Sequence, residues 1–465
     1  MTRTQTDMAL LLGVLAVLSV IPWTIALRRA RAAGDWDLGS TLVLATGVLA
    51  NLPTVAFVLR SGRPERLDPL GEVVIGFPGW VNVLGVVANG LLLVGCGLFV
   101  LHRFLAGRAP LNTAPLLALA LVVLVALSDG LRDQQLLAPR QLLLMALLLA
   151  AAVARPGRGP LLGGAAVVML STVLGGVEAL VEPASVLREC REDNPCGPMG
   201  VLYTGVFTNE NIFSLLLIVG LPFVWLGLRG RVRVLLTWYT AFVAVATGSR
   251  LAGASAVLVV VFLTLLRPRL PSERAARPSP GRVLFGVPVL CAAAVVGLSL
   301  PFRHLDPDRL GDRASIWDMA VRELHESPFV GFGAKAWSAK YEAGEIPAAL
   351  SPSLHNQWLD VLYAGGVVGL ALFALLLVCL LTVGGTRGFP AAACLVLPVL
   401  LASILERPWS FGITNSLTFA LLAVVIAPTT VRRGAPRAVQ GSGSSPAAAP
   451  ARTPSRSPAA TAPGR

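Results

Sequence analysis

The 465-residue chain is 55% hydrophobic and only 14% charged, whereas soluble domains carry charge on about a quarter of their residues; composition excludes a soluble fold. Apolar runs of about twenty residues, each long enough to cross a hydrocarbon core, recur along the chain, and the short alternating segments of a transmembrane β-barrel do not. A net charge of +13 would suggest nucleic acid in a soluble protein, but much of the arginine sits in short loops between apolar runs, where it is topology charge.

In chain order, the first apolar run, Met8 to Leu27, ends in Arg28-Arg29-Ala30-Arg31 and not in a small-residue cleavage site, so it reads as a first span. Further spans are expected over 38–59, 80–101, 114–128, 136–154, 161–181, 210–228, 234–248, 251–266, 283–301, 359–382, 390–405 and 411–427. The fold class is all-α: a polytopic integral membrane protein of about 12–13 transmembrane helices with one large extracytoplasmic loop. The basic loops 28–31, 102–108, 155–158, 229–233 and 267–282 fall on one side if the spans alternate, which makes that side cytoplasmic. Arg60, Arg63 and Arg66 then fall on the other side, against the rule. From 432 onward the chain turns to Ala, Pro, Ser, Gly and Arg with no apolar period. Residues 1–431 are read as the transmembrane unit and 432–465 as a disordered cytoplasmic tail.

The polar segments collect on the extracytoplasmic side: 182–209, the junction TGSRLAG (247–253), the long stretch 302–357, and Glu406-Arg407-Pro408-Trp409. Cys190 and Cys196 flank a polar turn and can pair if that turn faces an oxidising compartment; free thiols are the alternative. Arg250 either marks its turn or grips an anion with a planar fork that suits phosphate. Arg313 in GDRASIWDMA has Trp317 one turn later, on one face if the segment is helical. His355 in SLHNQWLD is a side chain suited to take a proton near neutral pH, and Asn356 and Trp358 follow it at a lipid boundary. Asn209, Glu210 and Asn211 open a span, either as caps or as the lining of a pocket for sugar hydroxyls. Glu406 lies near the same face, with Arg407 as its simplest partner. Asp306 and Asp308 flank Pro307 in the long stretch, where proline favours a turn.

Four segments, GVFTNENIFS, TGSRLAGASA, DRASIWDMAVRELHESPFVGFGAKAW and SLHNQWLDVLYAGGVVGL, in this order between about 200 and 380, resemble the O-antigen ligase and O-antigen polymerase superfamily. The resemblance implies a metal-independent membrane glycosyltransferase without cofactor, in the bacterial cytoplasmic membrane with its active side extracytoplasmic. Such an enzyme moves a glycan from undecaprenyl (polyprenyl) diphosphate to an acceptor hydroxyl on a glycan, lipid or protein. Arg250 and Arg313 match the family's functional arginines, which would hold the diphosphate, and His355 matches the family histidine, which would be the general base. Asn211, Glu210, Trp317 and Asn356 are the expected substrate contacts.

Two alternatives stand beside the ligase. A polymerase of the same superfamily adds the glycan to another lipid-linked repeat. A flippase or transporter of lipid-linked sugar would place paired charges at mid-span and break its helices in two related halves; no convincing mid-span charge is evident.

Overall fold

The computed structural model describes residues 2–61, 77–107, 111–132, 136–190, 196–270, 281–306, 310, 313–347 and 353–427, with backbone alone for 66–67, 73–74 and 280. Arg63, Asp308, Arg309 and the expected tail lie outside the described residues. In chain order the elements are α1 (Arg3–Ala32), α2 (Leu38–Ser61), the strand pair β1 (Arg66–Leu67) and β2 (Val73–Val74), α3 (Gly79–Leu105), α4 (Thr113–Leu131), α5 (Pro139–Val153), α6 (Arg158–Val181) and the short α7 (Pro183–Val186). The pair β3 (Leu187–Arg188) and β4 (Leu202–Tyr203) precedes α8 (Glu210–Gly227), α9 (Arg231–Ala246), α10 (Arg250–Leu266) and α11 (Pro280–Ser299). The chain continues through α12 (Arg313–Glu323), α13 (Ala336–Glu342), α14 (Gln357–Thr382), α15 (Gly385–Ala402) and α16 (Thr418–Ile426). Among the described residues nine of these helices are long and apolar enough to cross a membrane. The protein is an all-α polytopic membrane protein, because within hydrocarbon a chain must satisfy its backbone internally and an α-helix does so within one segment.

The bundle is organised around α6, which packs on α1, α2 and α8. Lipid tails are as apolar as leucine, so helices associate by close fit, and small residues permit it. A Cβ on Gly163 would come within 2.4 Å of the Ser40 carbonyl oxygen, and one on Gly176 within 3.0 Å of the Leu12 carbonyl oxygen. By contrast α3 and α11 leave most of their apolar surface outward, as lipid-facing helices do.

Contacts between helix ends sort the loops onto two faces. Asp35 pairs with Arg158 and Arg229 (3.6 and 2.8 Å), and Arg103 Nε donates to the Val153 carbonyl (3.0 Å), so the helix ends at Asp35, Arg103, Arg158 and Arg229 share one face. On the other, Tyr203 N donates to Thr247 O (3.1 Å), tying the β3–β4 hairpin to the turn before α10. Arg60, whose side disagreed with the charge rule, lies over the Trp80 ring at 5.1 Å, a contact that stabilises a cation beside a helix end.

The described residues of the stretch 302–357 form a folded layer on that second face. Ile316, Trp317, Phe332, Trp337, Leu354 and Tyr363 are among its buried apolar side chains. The layer is fastened to α14 at a break in the helix. Gly366 has φ +61°, a left-handed geometry that strains any residue with a Cβ, and a Cβ there would lie 2.2 Å from the Phe329 carbonyl carbon. The opened helix lends its backbone to SPFVGFG: Phe332 N donates to Tyr363 O (2.8 Å), Gly333 N to Ala364 O (2.9 Å) and Val367 N to Pro328 O (2.8 Å). The end of α4 grips the same segment, with Ser128 Oγ donating to Val330 O (2.6 Å) and fully buried Asp129 accepting from Lys335 N (3.2 Å) and Gln141 Nε2 (2.6 Å).

One expected span is corrected. A helix was expected over 411–427, but only Thr418–Ile426 is helical. Residues 404–417 run irregularly through the protein interior, where Pro408 lacks an N–H and the Asn415 carboxamide accepts from Leu417 N (3.0 Å). Gln357 Oε1 accepts from Trp409 N (2.9 Å) and Asn51 Nδ2 donates to Ser416 O (3.1 Å). Backbone groups taken out of water need partners, and these contacts supply them.

Candidate active site

Three titratable side chains from distant parts of the chain meet where α12, the start of α14 and the segment after α15 converge. Arg313 Nη2 donates to Glu406 Oε1 at 2.7 Å, and His355 Nδ1 lies 2.9 Å from Glu406 Oε2. One carboxylate therefore bridges the two residues. All three are partly shielded, with side chains 22%, 25% and 12% exposed for Arg313, His355 and Glu406. An ionised carboxylate only accepts hydrogen bonds, so it holds the proton on Nδ1, the tautomer in which a neutral imidazole has its lone pair on Nε2. Arg313 Nη1 also donates to Leu310 O (3.2 Å), while its Nε is buried and has no partner among the described residues.

The backbone around His355 is held from every side. Trp317 is buried, and its indole donates to Leu354 O at 2.7 Å. Asn356 is fully buried: its amide donates to Gly297 O (2.9 Å) and Ile404 O (3.0 Å), while its carbonyl caps α14 through Leu359 N (2.8 Å). Gln357 N donates to Ser403 O (3.1 Å). His355 itself has φ +48°, a conformation uncommon outside glycine that persists only where surroundings enforce it. Trp317 and Asn356, expected as substrate contacts, thus spend their polar groups on the protein, and their visible role is to fix His355 between them.

The remaining expected residues gather elsewhere on the same face. Arg250 is exposed at the first turn of α10 and makes no hydrogen bond or ion pair among the described residues. The turn before it is fixed: Gly248, at φ +80°, sits so close to the hairpin that a Cβ would lie 2.8 Å from Val201 O. Asn209 caps α8 by accepting from Asn211 N (2.6 Å) and Ile212 N (3.3 Å), Glu210 is buried with Arg188 Nη1 3.9 Å away, and Asn211 is half-buried. No hydrogen bond or ion pair among the described residues links this group to Arg313, Glu406 and His355. A disulfide joins Cys190 to Cys196 in the hairpin.

A comparison with protein families matches residues 235–374 to O-antigen ligase. These residues belong to the O-antigen ligase family. No curated protein matches the chain. The protein is thus a multi-pass bacterial membrane protein carrying a domain of a family of membrane glycosyltransferase-type enzymes. The ligase-family stretch runs from α9 into α14 and includes Arg250, Arg313, Trp317, His355 and Asn356. Glu210, Asn211 and Glu406 lie outside it.

Glu406 is the residue sequence reasoning undervalued. Its simplest partner was Arg407, but Arg407 turns the other way and pairs with Asp360 at 2.8 Å. That carboxylate raises the Arg407 pKa above its ordinary value, against a smaller opposing effect of burial. The available signal was weak: a Glu-Arg-Pro run directly after an apolar span, on the same face as His355. Among the described residues no group of three or more His, Cys, Asp or Glu is placed to hold a metal ion.

Proposed function

We propose that this ligase-family protein transfers a glycan from a polyprenyl diphosphate to an acceptor hydroxyl at the extracytoplasmic face of the bacterial cytoplasmic membrane. The observation that carries this reading is Glu406 bridging His355 and Arg313. With Nδ1 held by the carboxylate, Nε2 is oriented to take the acceptor hydroxyl proton as that oxygen attacks the anomeric carbon. The new glycosidic bond forms as the bond from that carbon to the diphosphate oxygen breaks, and the diphosphate leaves with the electron pair. Negative charge builds on it in the transition state, and fixed guanidinium donors facing that charge stabilise it. Of the five N–H donors of an arginine, two on Arg313 are engaged by Glu406 and Leu310 and the Nε one is buried, leaving one on each of Nη1 and Nη2 for phosphate oxygens. Arg250, exposed on the same face and without a partner among the described residues, supplies a second fork in this scheme.

The test compares consumption of polyprenyl-diphosphate glycan in membranes carrying wild type or His355→Ala at matched expression. Loss of the base is expected to slow consumption by about 10²–10⁴-fold, the usual contribution of general-base catalysis. Equal consumption by the two proteins, or movement of intact donor across the bilayer, would overturn the reading in favour of transport.

A further inference from the structure

Beside the Asp360–Arg407 pair the structure contains a cavity that the proposed chemistry leaves unused. It measures about 170 Å³ and lies between α4, α14, the start of α13 and the irregular segment after α15. Its polar lining comes from Lys335, Ser338, Ser353, Asp360, Arg407 and Ser410, and apolar side chains such as Val125 and Phe411 complete the wall. Two of these residues adjoin the site: Ser353 is two positions before His355, and Arg407 follows Glu406.

The charges decide what such a cavity would bind. Arg407 is already matched by Asp360 at 2.8 Å, and Asp129 lies behind Lys335, accepting from its backbone N–H. An unpaired anion would meet the Asp360 carboxylate as well as the two cations, and buried like charges repel strongly. A neutral ring bearing hydroxyls faces no such penalty, because each hydroxyl both donates and accepts. Carboxylate, guanidinium, ammonium and serine groups around a partly apolar wall match that chemistry. We propose that this cavity is a subsite for one neutral sugar ring next to the reacting bond. The inference rests on the transferase reading, and the ring belongs to either the acceptor or the donor glycan.

Ser338→Cys places a thiol on the cavity wall, where the native hydroxyl donates to Lys335 O at 3.0 Å. Its alkylation by a membrane-impermeant maleimide in vesicles, with wild type as background, reports occupancy without turnover, so the result stands whether or not His355→Ala stops donor consumption. Methyl glucopyranoside and methyl galactopyranoside are the probes, with inorganic pyrophosphate as the contrasting anion. Bound ligand at about twice its Kd should slow labelling about threefold, since protection follows 1 + [L]/Kd. Protection by a pyranoside and not by pyrophosphate is the expected result. Protection by pyrophosphate alone, or by no probe, overturns the proposal. Lipid-linked donor added without acceptor separates the two sources: protection by donor assigns the ring to the donor, and protection by free pyranoside alone assigns it to the acceptor. Should Ser338→Cys fail to insert, Ser410→Cys elsewhere on the cavity wall gives the same measurement.

Discussion

The α1–α2–α6–α8 frame and the layer built from 302–357 and 403–417 are assembled by opposite means. In the frame, helices touch because side chains are missing: Gly163 meets the Ser40 backbone and Gly176 the Leu12 backbone. In the layer, large side chains fill a compact core, and polar groups then fix its members, as when Tyr363 Oη donates to Glu323 (2.6 Å) and Lys340 pairs with the same carboxylate (2.8 Å). The environment explains the difference. Between helices in lipid there is no hydrophobic drive and fit alone holds them, whereas a layer exposed to water gains from burying aromatic surface. The frame therefore tolerates almost no added volume, while the layer can hold charged groups in register at its edge, where His355, Glu406 and Arg313 meet.

The sharpest way to break this comparison is to add volume to the frame. Gly163→Val should push α2 from α6, because the obstacle is the Ser40 carbonyl and not a mobile side chain. We expect a loss of about 3 kcal/mol or more, read as a collapse of folded protein in detergent. A variant that melts like wild type would show that α2 and α6 do not pack backbone to backbone.

In the layer the expected effect is on chemistry before stability. Arg313→Lys keeps the charge but loses the planar fork that reaches Glu406 and Leu310 and, in the proposed scheme, a diphosphate. Donor consumption should fall by about 10²-fold with the melting temperature nearly unchanged. Near-normal transfer would remove Arg313 from the site, and parallel losses of fold and activity would make it a structural residue of the layer.

The smallest expected effect sharpens the comparison at the hairpin. Removing the Cys190–Cys196 disulfide with Cys190→Ser and Cys196→Ser together frees a short loop, at a cost of about 2 kcal/mol by loop-closure entropy. The wild-type pair should resist alkylation until reduced, and free thiols in the isolated protein would contradict the bond. If the hairpin holds the Thr247–Ser249 turn as the Tyr203 to Thr247 bond suggests, transfer should fall modestly in the double variant while donor affinity weakens.

Much of the fold was legible in the sequence, and less of the site. Runs such as 161–181 and 359–382 predicted α6 and α14 within a few residues. The run 411–427 misled because its apolar composition is real while its backbone is not helical: Pro408 and Asn415 divert it, and Gln357 and Asn51 supply the partners a helix would have supplied. Arg313 and His355 stood out as polar residues in a chain built for lipid, yet their meeting point did not. Glu406 lies 93 residues from one and 51 from the other, and a local pattern offered it only its neighbour Arg407. Trp317 and Asn356 were legible as residues of the region but not as the groups that hold His355, since their partners are backbone carbonyls that carry no sequence signature.

The sequence by itself determined that this chain spans a membrane and where most of its helices lie, because hydrocarbon thickness and backbone satisfaction constrain each segment locally. Only the tertiary structure decided that Glu406 joins His355 to Arg313, that SPFVGFG docks on the break at Gly366, and that a cavity opens beside the Asp360–Arg407 pair. Those outcomes depend on how segments far apart in the chain approach one another, and hydrophobic periodicity, which repeats within a few residues, carries no information about that approach.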